Sequence, residues 1–236
     1  MENPLSKLPL ILREHDGCTV VRGDLFPGGI KAKCLASLLP KIPESELVYT
    51  PHPNGSAGFA LGLAGLYSDK KVTLFVDPAV MRKKLVRKLC SLGNVSFIPL
   101  QTAYNKRVYE KEARKYAKSH GAHFMPAGFD YAPFTECFIA IAQALPIQPE
   151  EVWVAAGSGT TSRCLARAWP TAFVNTVNLG MIRTPKMAGK VFRVPERPRE
   201  KAELPPPYPS ESYYDAKIWR FVPVLPESTT LVFNMA

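Results

Sequence analysis

Three short apolar runs, at 72–76 (VTLFV), 95–100 (VSFIPL) and 152–156 (VWVAA), are each bounded by polar, Gly or Pro residues. They are too short for buried helices and lack polar alternation, so they predict strands covered on both faces, as in a parallel sheet. Helical patterns lie around them at 56–67, 79–91, 105–119 and 134–145. This alternation predicts an α/β fold with right-handed crossovers. The final segment, STTLVFNMA, reads as a closing strand. Residues 193–209 (RVPERPREKAELPPPYP) hold six of the 23 prolines. They predict an extended loop rather than a packed element.

The 236 residues suit one domain or two small lobes, and 46% apolar with 21% charged residues excludes disordered, collagen-like and coiled-coil classes. No stretch has the roughly 20 apolar residues of a membrane helix, and acids interrupt the N-terminus where a signal peptide would be apolar. A cytoplasmic location without membrane association is expected. The five cysteines are scattered, and His120 and His123 have no carboxylate or cysteine at metal spacing. Reduced thiols and no metal site are therefore expected.

Three segments carry chemistry. In Arg22-Gly-Asp-Leu-Phe-Pro-Gly-Gly-Ile-Lys31-Ala-Lys33, two glycines precede a lysine at a helix start. On the local pattern alone a solvated lysine after a turn is the simpler reading; such an amine also suits a phosphate ligand or a Schiff-base nucleophile. Gly157-Ser158-Gly159-Thr160-Thr161 follows a buried strand and opens a helix, presenting N–H groups and hydroxyls as a phosphate monoester requires. It is neither a Walker loop nor GxGxxG. A phosphoribosyltransferase-like reading of this loop lacks the acidic pair expected ahead of it. The third segment, Asn54-Gly-Ser56-Ala-Gly, enters a helix of small residues. Ser56 or Asn54 serves there as a plain N-cap or beside N–H groups that receive a carboxylate.

Together these segments resemble the fold type II pyridoxal-phosphate (PLP) enzymes, the tryptophan synthase β-like group. The likeness is nearest to aminocyclopropane-carboxylate deaminase and D-cysteine desulfhydrase. Arg22-Gly-Asp24-Leu25…Gly28-Gly29-Ile30-Lys31 matches the family's lysine motif, with Ile30 in place of its asparagine. Ser56 to Ala64 fits the next element if one asparagine is deleted, with Asn54 as its substitute. Gly157 to Thr161 matches the phosphate loop, and Tyr214-Asp215-Ala216-Lys217 approaches a Tyr-x-Gly-Lys element. All four occur in family order. The interval between the loop and Tyr214 is short, little more than the Pro-rich segment, and Asn234 stands where relatives place a Ser or Thr partner for the pyridine nitrogen.

The resemblance implies a two-lobed fold of reduced size, with 1–50 and 134–236 forming a larger PLP-binding lobe and 51–133 a smaller one. It implies a homodimer and a PLP-dependent lyase (elimination, deamination or decarboxylation) acting on an amino-acid group. Lys31 would hold the cofactor as a Schiff base and serve as the base. Gly157, Ser158, Gly159, Thr160 and Thr161 would anchor its phosphate, Asn54 and Asn234 would contact its ring, Ser56 would receive the substrate carboxylate, and Tyr214 would transfer a proton or position substrate.

The formal charge of +10 exceeds what one cofactor phosphate requires. Arg82, Lys83, Lys84, Arg87 and Lys88 fall in one helix, and Lys106, Arg107, Lys111, Arg114, Lys115 and Lys118 in another. Solvated helix faces explain such runs, and so does a phosphate-backbone footprint. The second reading predicts DNA as a partner, with the amino-acid group carried on a modified nucleobase, as in hypermodified bacteriophage DNA. The alternative is a non-catalytic nucleic-acid-binding module on a degenerate PLP fold.

Overall fold

The computed structural model describes residues 2–52, 55–78, 84–102, 105–179, 187–197 and 200–235, with the side chains of Lys84, Leu85 and Arg87 outside that description. The chain divides into two compact units, one of residues 1–8 with 31–131 and one of residues 9–30 with 132–236. The division differs from the one expected, because 31–50 belong with 51–131. The reason is β3 (Glu46–Tyr49), which lies between and parallel to β4 (Lys71–Val76) and β6 (His123–Phe124).

In the first unit the sheet order is β5 (Val95–Pro99), β4, β3, β6, all parallel. On it, α4 (Lys106–His120) buries Tyr109, Ala113 and Ala117 against Val48 and Phe75. The helix α2 (Ala57–Leu66) is made of small residues because its neighbours come close. A Cβ at Gly62 would lie 2.9 Å from Leu89, and one at Gly65 2.9 Å from Val72. The predicted 79–91 helix is described over α3 (Lys84–Cys90), its first residues lying outside the described set.

The second unit has six strands in the order β1 (Leu12–His15), β2 (Cys18–Arg22), β10 (Thr230–Asn234), β7 (Glu151–Ala156), β8 (Phe173–Asn178) and β9 (Lys190–Arg193). All pairs are parallel except the β1–β2 hairpin. The closing strand β10 thus occupies the interior, which its five consecutive buried residues require. Its Phe233 faces Phe138 of α5 (Ala132–Gln143) and Trp169 beyond α6 (Thr160–Ala168), at ring distances of 6.3 and 6.2 Å. Val232, on the opposite face, joins Trp153, Val177, Tyr208 and Ile218.

Two expectations are corrected here. The described residues of the Pro-rich segment beyond Arg193 form neither helix nor strand, as expected of a loop, but Tyr208 near its end is buried, with its ring 4.7 Å from His15 and 5.4 Å from the Arg22 guanidinium. The interval between residues 161 and 214 is also more than a linker, since it supplies β8 and β9 to the sheet.

Candidate active site

At the carboxyl ends of the adjacent parallel strands β2, β10 and β7, the second unit gathers Arg22 to Asp24, Asn234 and Gly157 to Thr161. Open α/β sheets bind ligands at such an edge.

The loop begins at Gly157, whose N–H donates to the Tyr214 hydroxyl at 2.8 Å. Gly159 then takes φ 79°, a left-handed conformation that turns the chain into α6 and puts glycine at the N-cap. The first N–H groups of a helix have no partner within it, and here they begin at Thr160. Ser158 Oγ lies 3.0 Å from Thr160 Oγ1, so one hydroxyl donates to the other beside those amides. Thr160 and Thr161 are buried, while Ser158 is half-buried. Ser162 braces the turn from behind: its hydroxyl donates to Gly159 O at 3.0 Å and accepts from Ala188 N at 3.2 Å.

The Arg22 segment is built around a part-buried ion pair. Its guanidinium donates to both Asp24 oxygens, Nε to Oδ1 at 2.8 Å and Nη2 to Oδ2 at 2.7 Å. This hydrogen bonding to Asp24 raises the Arg22 pKa further, against the opposing effect of burial. Asp24 Oδ1 also accepts from Asn234 Nδ2 at 2.7 Å. The second Asn234 amide hydrogen goes to Pro209 O at 2.9 Å, and its Oδ1 accepts from Ser210 at 2.8 Å. Asn234 is therefore engaged on three sides, tying the Pro-rich segment and Asp24 to the end of β10.

Gly28 and Gly29 take φ of 77° and 76°, a reversal that side-chain-bearing residues resist. It starts α1 (Gly29–Leu38), and Ile30 N donates to Met235 O at 3.0 Å. The residue after this anchor is Lys31, which is half-buried. Lys33 is committed elsewhere, its amine donating to Ser6 O at 2.8 Å and Leu8 O at 2.5 Å. Lys217 is fully buried and donates to Arg197 O at 2.9 Å. Burial pulls its amine below the ordinary lysine range, while Glu196 and Glu200 act the other way.

Ser56 stands at the N-cap of α2 without a side-chain cap bond. Asn54 lies outside the described residues, as do Arg82 and Lys83; Lys84 and Arg87 are described in backbone only. Lys88, Lys106, Arg107, Lys111, Arg114, Lys115 and Lys118 are exposed. Among the described residues, no cluster of three or more His, Cys, Asp or Glu is arranged to hold a metal, and no helix is long and apolar enough to cross a membrane. Gly23, Ser162 and Ser210 also shape the site, and of these only Gly23 is signalled in the sequence, as the small residue between Arg22 and Asp24.

No protein-family model and no curated protein matches the chain. Solved structures do. An ACC deaminase homologue superposes with a TM-score of 0.77 at 12% identity, covering 100% of this chain and 91% of the other. Diaminopropionate ammonia lyase from Escherichia coli gives 0.69 at 13% identity, over 99% and 86%. A threonine deaminase from T.th. gives 0.62 at 15%, over 95% and 90%. The fold is that of the tryptophan synthase β-like, fold type II PLP enzymes.

The Tyr214–Gly157 bond gives a direct prediction. Tyr214→Phe leaves a loop N–H without its acceptor and should cost about 1 kcal/mol of stability. Urea unfolding measures it, and a stability equal to wild type would contradict the bond.

Proposed function

We propose that the protein is a PLP-dependent lyase that eliminates or deaminates at an amino-acid group, and that this group is carried on nucleic acid. The observation that carries the chemistry is the gathering of the Gly157–Thr161 loop and the Arg22–Ile30 segment at the carboxyl ends of neighbouring strands in a fold type II sheet. The residues suit the cofactor: a glycine-capped helix start flanked by hydroxyls suits a phosphate monoester. When bound, PLP supplies the electron sink for the substrate's α-carbon.

In this reading the loop N–H groups with Ser158, Thr160 and Thr161 hold the phosphate. Lys31 would hold the cofactor through its amine, and its Nζ would take or return the α-proton of the substrate. Ser56 and the first N–H groups of α2 receive the carboxylate. Tyr214 positions the loop through Gly157, beside the proton-transfer or substrate-positioning role that its motif implied. Asn234 has both amide hydrogens donated and its oxygen accepting from Ser210, so in this reading it braces the end of β10 beside the site.

The nucleic-acid part is supported by where the charge lies. The unit of residues 1–8 and 31–131 has 17 Lys and Arg against 8 Asp and Glu, a net +9, while 13 against 12 leave the other unit at +1. An amino-acid substrate alone asks for no such asymmetry.

Titration of the purified protein with PLP should produce a long-wavelength absorbance band that borohydride removes. Lys31→Ala should lose that band while keeping the wild-type circular dichroism. A protein that binds DNA but takes up no PLP would instead be the non-catalytic module.

A further inference from the structure

The surplus charge of the first unit has a geometric focus on α4. At 3.6 residues per turn, Arg107, Lys111, Arg114, Lys115 and Lys118 fall within an arc of about 100°. All five are exposed. The buried Tyr109, Ala113 and Ala117 occupy the opposite side, and Glu110 and Glu112 fall outside the basic arc. The arc therefore contains no acid over about 16 Å of helix.

This arrangement works against the helix itself. Arg107 with Lys111, Lys111 with Lys115, and Arg114 with Lys118 are like charges four residues apart, a destabilising spacing. The first turn carries Lys106 and Arg107 and no acid, opposite to the preference of the helix dipole. Asn105 offsets part of this by accepting from the N–H groups of Arg107 and Val108. Arg114 is held in place by stacking over Phe124, with its guanidinium carbon 4.1 Å from the ring centre.

We infer that the outer face of α4 is a binding surface for the phosphate backbone of double-stranded nucleic acid. A duplex offers about one phosphate charge per 1.7 Å of axis, dense enough to engage every cation of the stripe. An anionic membrane is disfavoured, because interfacial helices insert an apolar face and that of α4 is already spent on Val48 and Phe75. The inference rests on the nucleic-acid part of the proposed function and is independent of the cofactor.

The test is binding of a fluorescently labelled duplex DNA to the full chain across a salt series. Five engaged cations predict a slope of log K against log salt of about −4.5. In the triple variant Arg107→Gln, Lys111→Gln, Lys118→Gln, the slope should fall to about −1.8, with affinity at 0.1 M salt reduced roughly five hundredfold. A matched variant in the other unit, Arg13→Gln, Lys190→Gln, Lys201→Gln, removes three exposed charges and should retain the wild-type slope. PLP absorbance, measured on the same samples, should be equal in all three proteins, so a failure of the cofactor reading is seen separately. The inference is overturned if the duplex does not bind at low salt, if the matched variant loses as much slope as the stripe variant, or if the protein sediments with phosphatidylserine vesicles but does not bind DNA.

Discussion

Gly23→Ala should destabilise the protein by about 3 kcal/mol, lowering the melting temperature by roughly 6–12 °C for a chain of this size. A Cβ at this position would lie 2.3 Å from the carbonyl oxygen of Asn234 and 2.7 Å from the carbonyl carbon and oxygen of Met235. All three are backbone atoms, so no rotamer change relieves the clash. Arg22 and Asn234 are register partners in the parallel β2–β10 pair, and the chain leaves β2 directly across the end of β10. Moving Met235 would also disturb the carbonyl that accepts from Ile30 N, just before Lys31. Cofactor binding should therefore weaken along with stability. Calorimetry and PLP titration read the two effects, and a melting temperature within about 1 °C of wild type would contradict this geometry.

Asp24→Ala should cost about 2–3 kcal/mol, the loss expected when the charged acceptor of a part-buried ion pair is removed. The Arg22 and Asp24 side chains are only 10% and 11% exposed, so the guanidinium left behind has little access to water. The same change removes an acceptor of Asn234 Nδ2. Replacing both charges, as in Arg22→Met with Asp24→Ala, should recover part of the loss, because no uncompensated charge remains. Urea unfolding of the two single variants and the double variant measures the coupling. Simple additivity would mean that the pair is not the source of the effect.

Legibility of the fold in the sequence depended on apolar continuity. The strands β4 and β7 showed as unbroken runs because both of their faces are buried, whereas β5, expected to be covered in the same way, is an edge strand with Ser96 and Pro99 exposed and no residue fully buried. In contrast, β8 is FVNTVN, with Asn175 and Thr176 buried but satisfied by Glu151 Oε1 and Ala188 O. Buried polar residues whose partners lie 24 and 12 positions away have no local signature. The β1–β2 hairpin did carry one: Asp16-Gly17 takes φ of 49° and 80°, as a tight two-residue turn requires. The flanking LREH is too polar to suggest a strand.

The candidate site was legible where its chemistry is local. The Gly-Gly reversal before Lys31 and the strand-loop-helix at Gly157 are formed by consecutive residues, and both were visible as motifs. The Tyr214–Gly157 bond spans 57 positions and the Asn234–Asp24 bond 210, so nothing in either segment announced them. Asn234, by its place in the closing strand, suggested a cofactor contact. Its side chain joins Asp24, Ser210 and Pro209, contacts that its place in the strand did not announce.

The central claim is that Lys31 carries the cofactor, and the most direct measurement is to fix the bond and locate it. Protein incubated with PLP, reduced with borohydride, digested and analysed by mass spectrometry should yield a single pyridoxyl-modified peptide, with the modification on Lys31. Modification at another lysine such as Lys33 or Lys217, or no modified peptide at all, would contradict the account.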